Sequence, residues 1–131
     1  MQDRKRILCV EDNEDICFLL VTLMERSNME AICVPTVSEA LRLMEQEQFR
    51  LYIIDSQLPG ISGLSMCEEI RKLDRQTPII IYSGMAYETH KAAGMCAGAN
   101  AYLVKPETTE IVPTVKRLLE LTSFHTNSSS N

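Results

Sequence analysis

The chain has 131 residues, the size of one domain able to bury a substantial apolar core. Hydrophobic residues make up 45% and charged residues 24%, a balance that excludes disordered and fibrous classes. A net charge of -5 argues against a nucleic-acid surface, because phosphate binding needs clustered cations; any such contact belongs to another domain.

The N-terminus carries Arg4, Lys5 and Arg6, but the apolar run that follows, Ile7 to Val10, is too short for a signal-peptide core. No stretch approaches the ~18 apolar residues of a membrane span, so a cytoplasmic protein without membrane contact is expected. Arg6 to Val10 reads as a buried strand, and Ile16, Leu19, Leu20, Leu23 and Met24 then recur at helical spacing. A second strand, Ala31 to Val34, precedes Thr36-Val37-Ser38-Glu39, where Thr and a Glu three residues on form a capping box. Val37, Ala40, Leu41 and Met44 make the apolar face of that helix.

Leu51 to Ile54 is a short, strongly apolar strand that ends at Asp55 and a turn rich in Pro and Gly. The next helix sets Leu64, Cys67 and Ile70 on one side, and Ile79 to Tyr82 is the clearest buried strand in the chain. Tyr87 to Ala97 reads as an Ala-rich helix weakened by Gly94, the most mobile element expected. Ala101 to Val104 is a fifth strand, and Ile111, Val115, Leu118 and Leu119 mark a last helix ending near Leu121, with Pro113 tolerated only in its first turn. Residues 1–121 therefore form the domain, and the polar, Ser-rich stretch 122–131 reads as a disordered tail or linker stub.

Five cysteines, Cys9, Cys17, Cys33, Cys67 and Cys96, are scattered and lack metal-site spacing. They read as small buried hydrophobes in a reducing compartment. His90 and His125 have no ligand partners nearby in sequence and read as solvated.

Strands alternating with helices predict an α/β fold, a doubly wound five-stranded parallel sheet with helices on both faces. In such sheets ligands bind beyond the carboxyl ends of the strands. Glu11, Asp12, Asp55, Ser83 and Lys105 all fall at those ends.

Three gathered carboxylates repel by about 4 kcal/mol per pair at ~4 Å and an effective dielectric near 20, so a cation is required. Oxygen-only ligands suit a hard ion such as Mg²⁺, with Asp12 and Asp55 as ligands, the Gln57 backbone carbonyl as a third oxygen and Glu11 either behind the ligands or acting through water. A carboxylate can also attack phosphorus. Lys105 and Ser83 would then each hold one phosphoryl oxygen, and Gly84 leaves room for the donor. Singly, each residue has an ordinary reading: an acidic helix cap, a surface lysine, a turn serine. Their joint occurrence at strand exits is what favours a site.

Val10-Glu11-Asp12, Asp55-Ser56-Gln57-Leu58-Pro59-Gly60, Ser83-Gly84 and Lys105-Pro106, in that order and at those intervals, resemble the receiver domain of two-component response regulators. The resemblance covers roughly residues 5–121 and implies a flavodoxin-like sheet of order 2-1-3-4-5. It further implies that Asp55 accepts a phosphoryl group from a phosphohistidine on a histidine kinase or phosphotransfer protein, with Mg²⁺ as cofactor and slow self-catalysed hydrolysis. Ser83 and Tyr102 match the hydroxyl and aromatic positions that move together on phosphorylation. An output domain or a phosphorylation-dependent homodimer would read the change.

Ser56, Glu107 and Pro113 depart from the commonest pattern, and Gln57 and Met85 stand where phosphoryl lifetime is influenced. Two further readings are a Mg²⁺-dependent phosphohydrolase and a receiver-like module that takes no phosphate. The first lacks a second acid, since Gln57 stands two residues after Asp55; the intact acidic set speaks against the second. The expectation is a switch that catalyses only its own modification, not a turnover enzyme.

Overall fold

A computed structural model describes the backbone of residues 5–129 and the side chains of residues 6–122. Among the described residues the element order is β1 (Lys5–Val10), α1 (Glu14–Arg26), β2 (Met29–Val34), α2 (Val37–Gln46), β3 (Leu51–Ile54), α3 (Gly63–Leu73), β4 (Ile79–Ser83), α4 (Glu88–Ala97), β5 (Ala101–Val104) and α5 (Ile111–Ser129). The strands form one parallel sheet in the order β2-β1-β3-β4-β5, as the resemblance implied.

The sheet separates two apolar layers. Alternate residues of each strand point to opposite faces, so Leu8, Val10, Ile54 and Ile81 pack with Val37, Ala40, Met66 and Ile70 on one side. Ile7, Ile53, Ile80 and Tyr82 pack with Leu20, Met24, Val115 and Leu119 on the other. β3 and β4 are buried along their whole length, which explains why their sequences are continuous apolar runs without alternation. Each such Ile or Leu contributes about 1.5–3 kcal/mol of burial.

Local chemistry starts the helices where expected. Asn13 accepts the Ile16 amide at 3.0 Å and Ser62 the Ser65 amide at 3.1 Å; Thr36 caps α2 by accepting the Glu39 amide at 3.2 Å, while the Glu39 carboxylate takes the Thr36 hydroxyl at 3.3 Å rather than the Thr36 amide that the predicted capping box requires. Pro113 lies in the first turn of α5, where an amide N–H would have no helical partner.

Four expectations are corrected. β2 begins at Met29 rather than Ala31. α5 continues to Ser129 instead of ending near Leu121, so the expected tail 122–131 begins as helix, and of that stretch residues 130–131 lie outside the described backbone. No Gly or Pro follows Pro113 to stop the helix. His90 is half-buried, its Nδ1 accepting the Tyr87 amide at the start of α4 and its ring stacked on Tyr87; the His125 side chain lies outside the described residues.

The cysteines are the fourth correction. Cys9 and Cys67 are buried as expected, and burial pushes the Cys9 thiol up to about 12. Cys96 is exposed, whereas Cys17 on α1 and Cys33 on β2 are joined by a disulfide with Cα atoms 5.8 Å apart. The crossover lays α1 over β2, a juxtaposition that spacing in the sequence does not reveal.

Candidate functional site

The ladder hydrogen bonds continue one residue beyond the strands and so fix the first residue of each exit. The Glu11 amide donates to Val34 O at 2.9 Å, Asp55 to Val10 O at 3.0 Å and Lys105 to Ser83 O at 2.8 Å. Glu11, Asp55 and Ser83 are thereby buried at one sheet edge, while Asp12 is exposed beside them.

The carboxylates of Glu11, Asp12 and Asp55 offer oxygens lying within 4.8 Å of one another. Lys105 reaches into this group from β5: Nζ lies 2.7 Å from Glu11 Oε1 and 3.3 Å from Asp55 Oδ2. The other Glu11 oxygen accepts the Asn13 amide at 3.0 Å, so both its oxygens are engaged. Asp55 Oδ1 accepts the Gln57 amide at 3.0 Å, which sets the Gln57 main chain against the Asp55 carboxylate.

Burial raises the Glu11 pKa, with the Asp55 charge adding to it, although the bonds from Lys105 and Asn13 pull the other way. Burial opposes the charged form of Lys105, yet the Glu11 hydrogen bond and the charges of Asp55 and Glu11 outweigh it and raise its pKa. Lys105 therefore remains an ammonium. One ammonium among three carboxylates leaves negative charge uncompensated, and an oxygen-only donor set of this size fits a small hard dication.

Tyr82 positions that lysine. Its ring lies under Lys105, Nζ to centroid 5.5 Å, and its hydroxyl donates to Glu107 O at 2.8 Å while accepting the Glu107 amide at 3.1 Å. The Lys105–Pro106 peptide between these anchors is cis.

Ser83 Oγ accepts the Met85 amide at 3.0 Å, and the Tyr102 hydroxyl donates to Met85 O at 2.7 Å. Ser83 and Tyr102 are thus joined through the main chain of Met85. Ser56 completes the arrangement, its Oγ 2.5 Å from Ser83 Oγ. A recess of about 130 Å³ lined by Leu64, Met85, Ala93 and Tyr102 adjoins this group.

Two glycines make the close approaches possible. A Cβ on Gly63 would lie 2.0 Å from the Asp55 carbonyl oxygen, so only glycine lets α3 start directly beneath Asp55. A Cβ on Gly94 would lie 2.8 Å from Tyr102 Cδ2, so the residue that weakens α4 also makes room for the Tyr102 ring.

The residues named from the sequence, Glu11, Asp12, Asp55, Gln57, Ser83, Lys105 and Tyr102, come together at one edge. Tyr82 and the Ser56–Ser83 contact were not foreseen. A tyrosine in an otherwise aliphatic strand was the available signal for Tyr82, and the hydroxyl in place of an apolar residue after Asp55 was the signal for Ser56.

A family model described as the response regulator receiver domain matches residues 7–116. The chain belongs to this receiver family. It is 35% identical to the regulatory protein VanR of Enterococcus faecium over 87% of this chain and 49% of that protein. It is 32% identical to the alkaline phosphatase synthesis transcriptional regulatory protein PhoP of Bacillus subtilis, over 95% and 52%. The receiver chain spans about half the length of these curated relatives. Its structure is similar to that of a response regulator from Chloroflexus aurantiacus, described as putative, with TM-score 0.85 and 30% identity over 90% of this chain and 99% of the other. It is also similar to a CheY-like receiver domain from Methanospirillum hungatei, with TM-score 0.87 and 28% identity over 94% and 99%. Among the described residues no helix is long and apolar enough to cross a membrane.

Proposed function

We propose that this receiver domain is a phosphorylation switch in which Asp55 takes a phosphoryl group from a phosphohistidine on a histidine kinase or phosphotransfer protein. The observation that carries the reading is the convergence on Asp55 of an ammonium at 3.3 Å, two further carboxylates and, one strand away, the Ser83 hydroxyl. A carboxylate oxygen of Asp55 forms the new bond to phosphorus as the phosphorus–nitrogen bond of the donor breaks. Lys105 holds one phosphoryl oxygen and Ser83 another.

Asp12, Asp55 and the Gln57 carbonyl would hold Mg²⁺, and Glu11, with both oxygens engaged, supports it indirectly. A dication bound there neutralises phosphoryl charge. Return to the resting state is by hydrolysis of the acyl phosphate, so the domain acts on itself and not as a turnover enzyme.

A phosphoryl group adds nearly two charges and three acceptors next to Ser83. Drawing Ser83 toward it disturbs the Met85 main chain and with it the Tyr102 hydroxyl, and the recess beside Tyr102 supplies space for the ring. The surface of α4, β5 and α5 would carry the change to an output domain or a second copy. The expected setting is the cytoplasm, with no direct nucleic-acid or membrane contact by this domain.

The test is incubation with a small-molecule phosphodonor and Mg²⁺, read by intact mass. One added phosphoryl group is expected, absent in Asp55→Asn and absent when the metal is chelated; persistent labelling of Asp55→Asn would place the acceptor elsewhere.

A further inference from the structure

We propose that Cys17 and Cys33 form a reversible redox site, a staple between α1 and β2 that opens and closes by exchange with low-molecular-weight thiols and disulfides. Their Cα atoms are 5.8 Å apart, inside the range a disulfide bridges without backbone movement. Both residues are half-buried, at the solvent-facing side of the α1–β2 layer rather than within the core.

The neighbouring sulfurs do not compete. Cys9 is the register partner of Cys33 on the adjacent strand, but it is wholly enclosed in the core. Cys67 is buried in the layer on the other face of the sheet, and Cys96 sits exposed on α4. Cys9 and Cys67 are thus shielded by burial, while Cys96 is open to the reagent but has no accessible cysteine beside it with which to close a bond.

Closure begins when one cysteine thiolate attacks the reagent disulfide, forming a mixed disulfide and expelling one thiolate. The second cysteine attacks the protein sulfur of that mixed disulfide, forming the Sγ–Sγ bond and releasing the second thiolate. The two cysteine protons end on the two released thiols, and two electrons pass to the reagent. Opening by a dithiol runs the same steps backward.

The site borders the acidic loop. Cys17 Sγ lies 3.2 Å from the Glu11 carbonyl oxygen, a distance at which a thiol donates a hydrogen bond and a disulfide sulfur, having no proton, makes only van der Waals contact. The two redox states therefore differ in what they offer the backbone of Glu11.

The experiment uses the purified chain treated with glutathione disulfide or with dithiothreitol, then alkylated and mapped by mass spectrometry. A cross-linked Cys17–Cys33 peptide, two hydrogens lighter than the reduced pair and reversed by dithiothreitol, is expected. Closing a short loop of chain should raise the thermal midpoint of the oxidised form by about 5–10 °C, a difference that Cys17→Ser and Cys33→Ser both abolish. Equal alkylation of both cysteines before and after oxidation, stable glutathione adducts on each, or equal midpoints would overturn the proposal. None of these readouts depends on phosphorylation, so the signalling assignment stands or falls separately.

Discussion

Ser56 Oγ and Ser83 Oγ lie 2.5 Å apart, and the contact joins the residue after the candidate acceptor to the hydroxyl expected to meet the phosphoryl group. Ser83 must trade this bond for the new one. A net hydrogen bond of about 1 kcal/mol corresponds to about fivefold in an equilibrium constant. Ser56→Ala should therefore tighten the binding of beryllofluoride with Mg²⁺, a phosphoryl mimic, by roughly fivefold. Titration followed by tyrosine fluorescence measures this; unchanged or weaker binding removes the idea that Ser56 restrains Ser83.

Lys105 plays two parts that a substitution separates. It would hold a phosphoryl oxygen, yet it also neutralises Glu11 and Asp55 and so competes with a dication. Lys105→Met should lower the rate of Asp55 labelling ~100-fold or more. The same change should tighten Mg²⁺ binding by roughly tenfold or more, a charge pair at about 4 Å being worth ~4 kcal/mol at an effective dielectric near 20. Calorimetric titration gives the sign directly, and weaker metal binding would contradict the electrostatic account.

Gly94 and Tyr102 should show a reversal of sign. In the parent, Gly94→Ala drives a methyl against the Tyr102 ring, an overpacking cost of about 1–3 kcal/mol that exceeds the helix-propensity gain of ~1 kcal/mol. In a Tyr102→Ala background the ring contacts are gone and the remaining neighbour, Ile81 Cδ1 at 3.0 Å, is the end of a flexible side chain that can move into the vacated space, so the propensity gain remains and Gly94→Ala should stabilise. Urea denaturation of the four proteins closes the cycle, and destabilisation of equal size in both backgrounds would refute it.

Asp74, at the C-terminal end of α3, accepts the Gln76 and Thr77 amides at 2.9 and 3.1 Å and the Thr77 hydroxyl. Burial pushes its pKa up, but these bonds and the Arg71 charge outweigh that and leave it below the usual carboxylate value of 3.8. A depressed folded pKa gives stability that is complete above the unfolded pKa and is lost as pH falls through the folded one. The stability difference between the parent and Asp74→Asn should therefore be constant above about pH 5 and shrink toward pH 2. A difference that grows on acidification would reverse the assignment.

Much of this molecule is readable without coordinates, for reasons that differ by element. Leu51–Ile54 and Ile79–Ile81 are legible because strands buried on both faces read as continuous apolar runs, and Asp55 because a charge ending such a run has few structural uses; Lys105 follows the half-buried β5 and has no such signal of its own. Glu11, Asp12 and Ser83 became meaningful only as a set, through the order in which strands neighbour one another.

What escaped depends on contacts between distant parts of the chain. The Ser56–Ser83 bond spans 27 residues and the Tyr82–Glu107 bond 25, each set by packing across the sheet exits rather than by local pattern. The Cys17–Cys33 bond was missed for the same reason, since helix α1 must lie across β2 before the sulfurs meet. Helix α5 ran past its apolar periodicity because periodicity reports only the buried face, and no Gly or Pro marks an end after Leu121.

Tyr82 presents its ring to the lysine and its hydroxyl to both main-chain groups of Glu107. The aryl face and the phenol oxygen are thus separate handles on one segment, so replacement by Phe would retain electrostatic support for the ammonium while unfastening the backbone behind it. That division makes a single atom the natural place to tune how firmly the cation is presented, without altering the charge of the pocket.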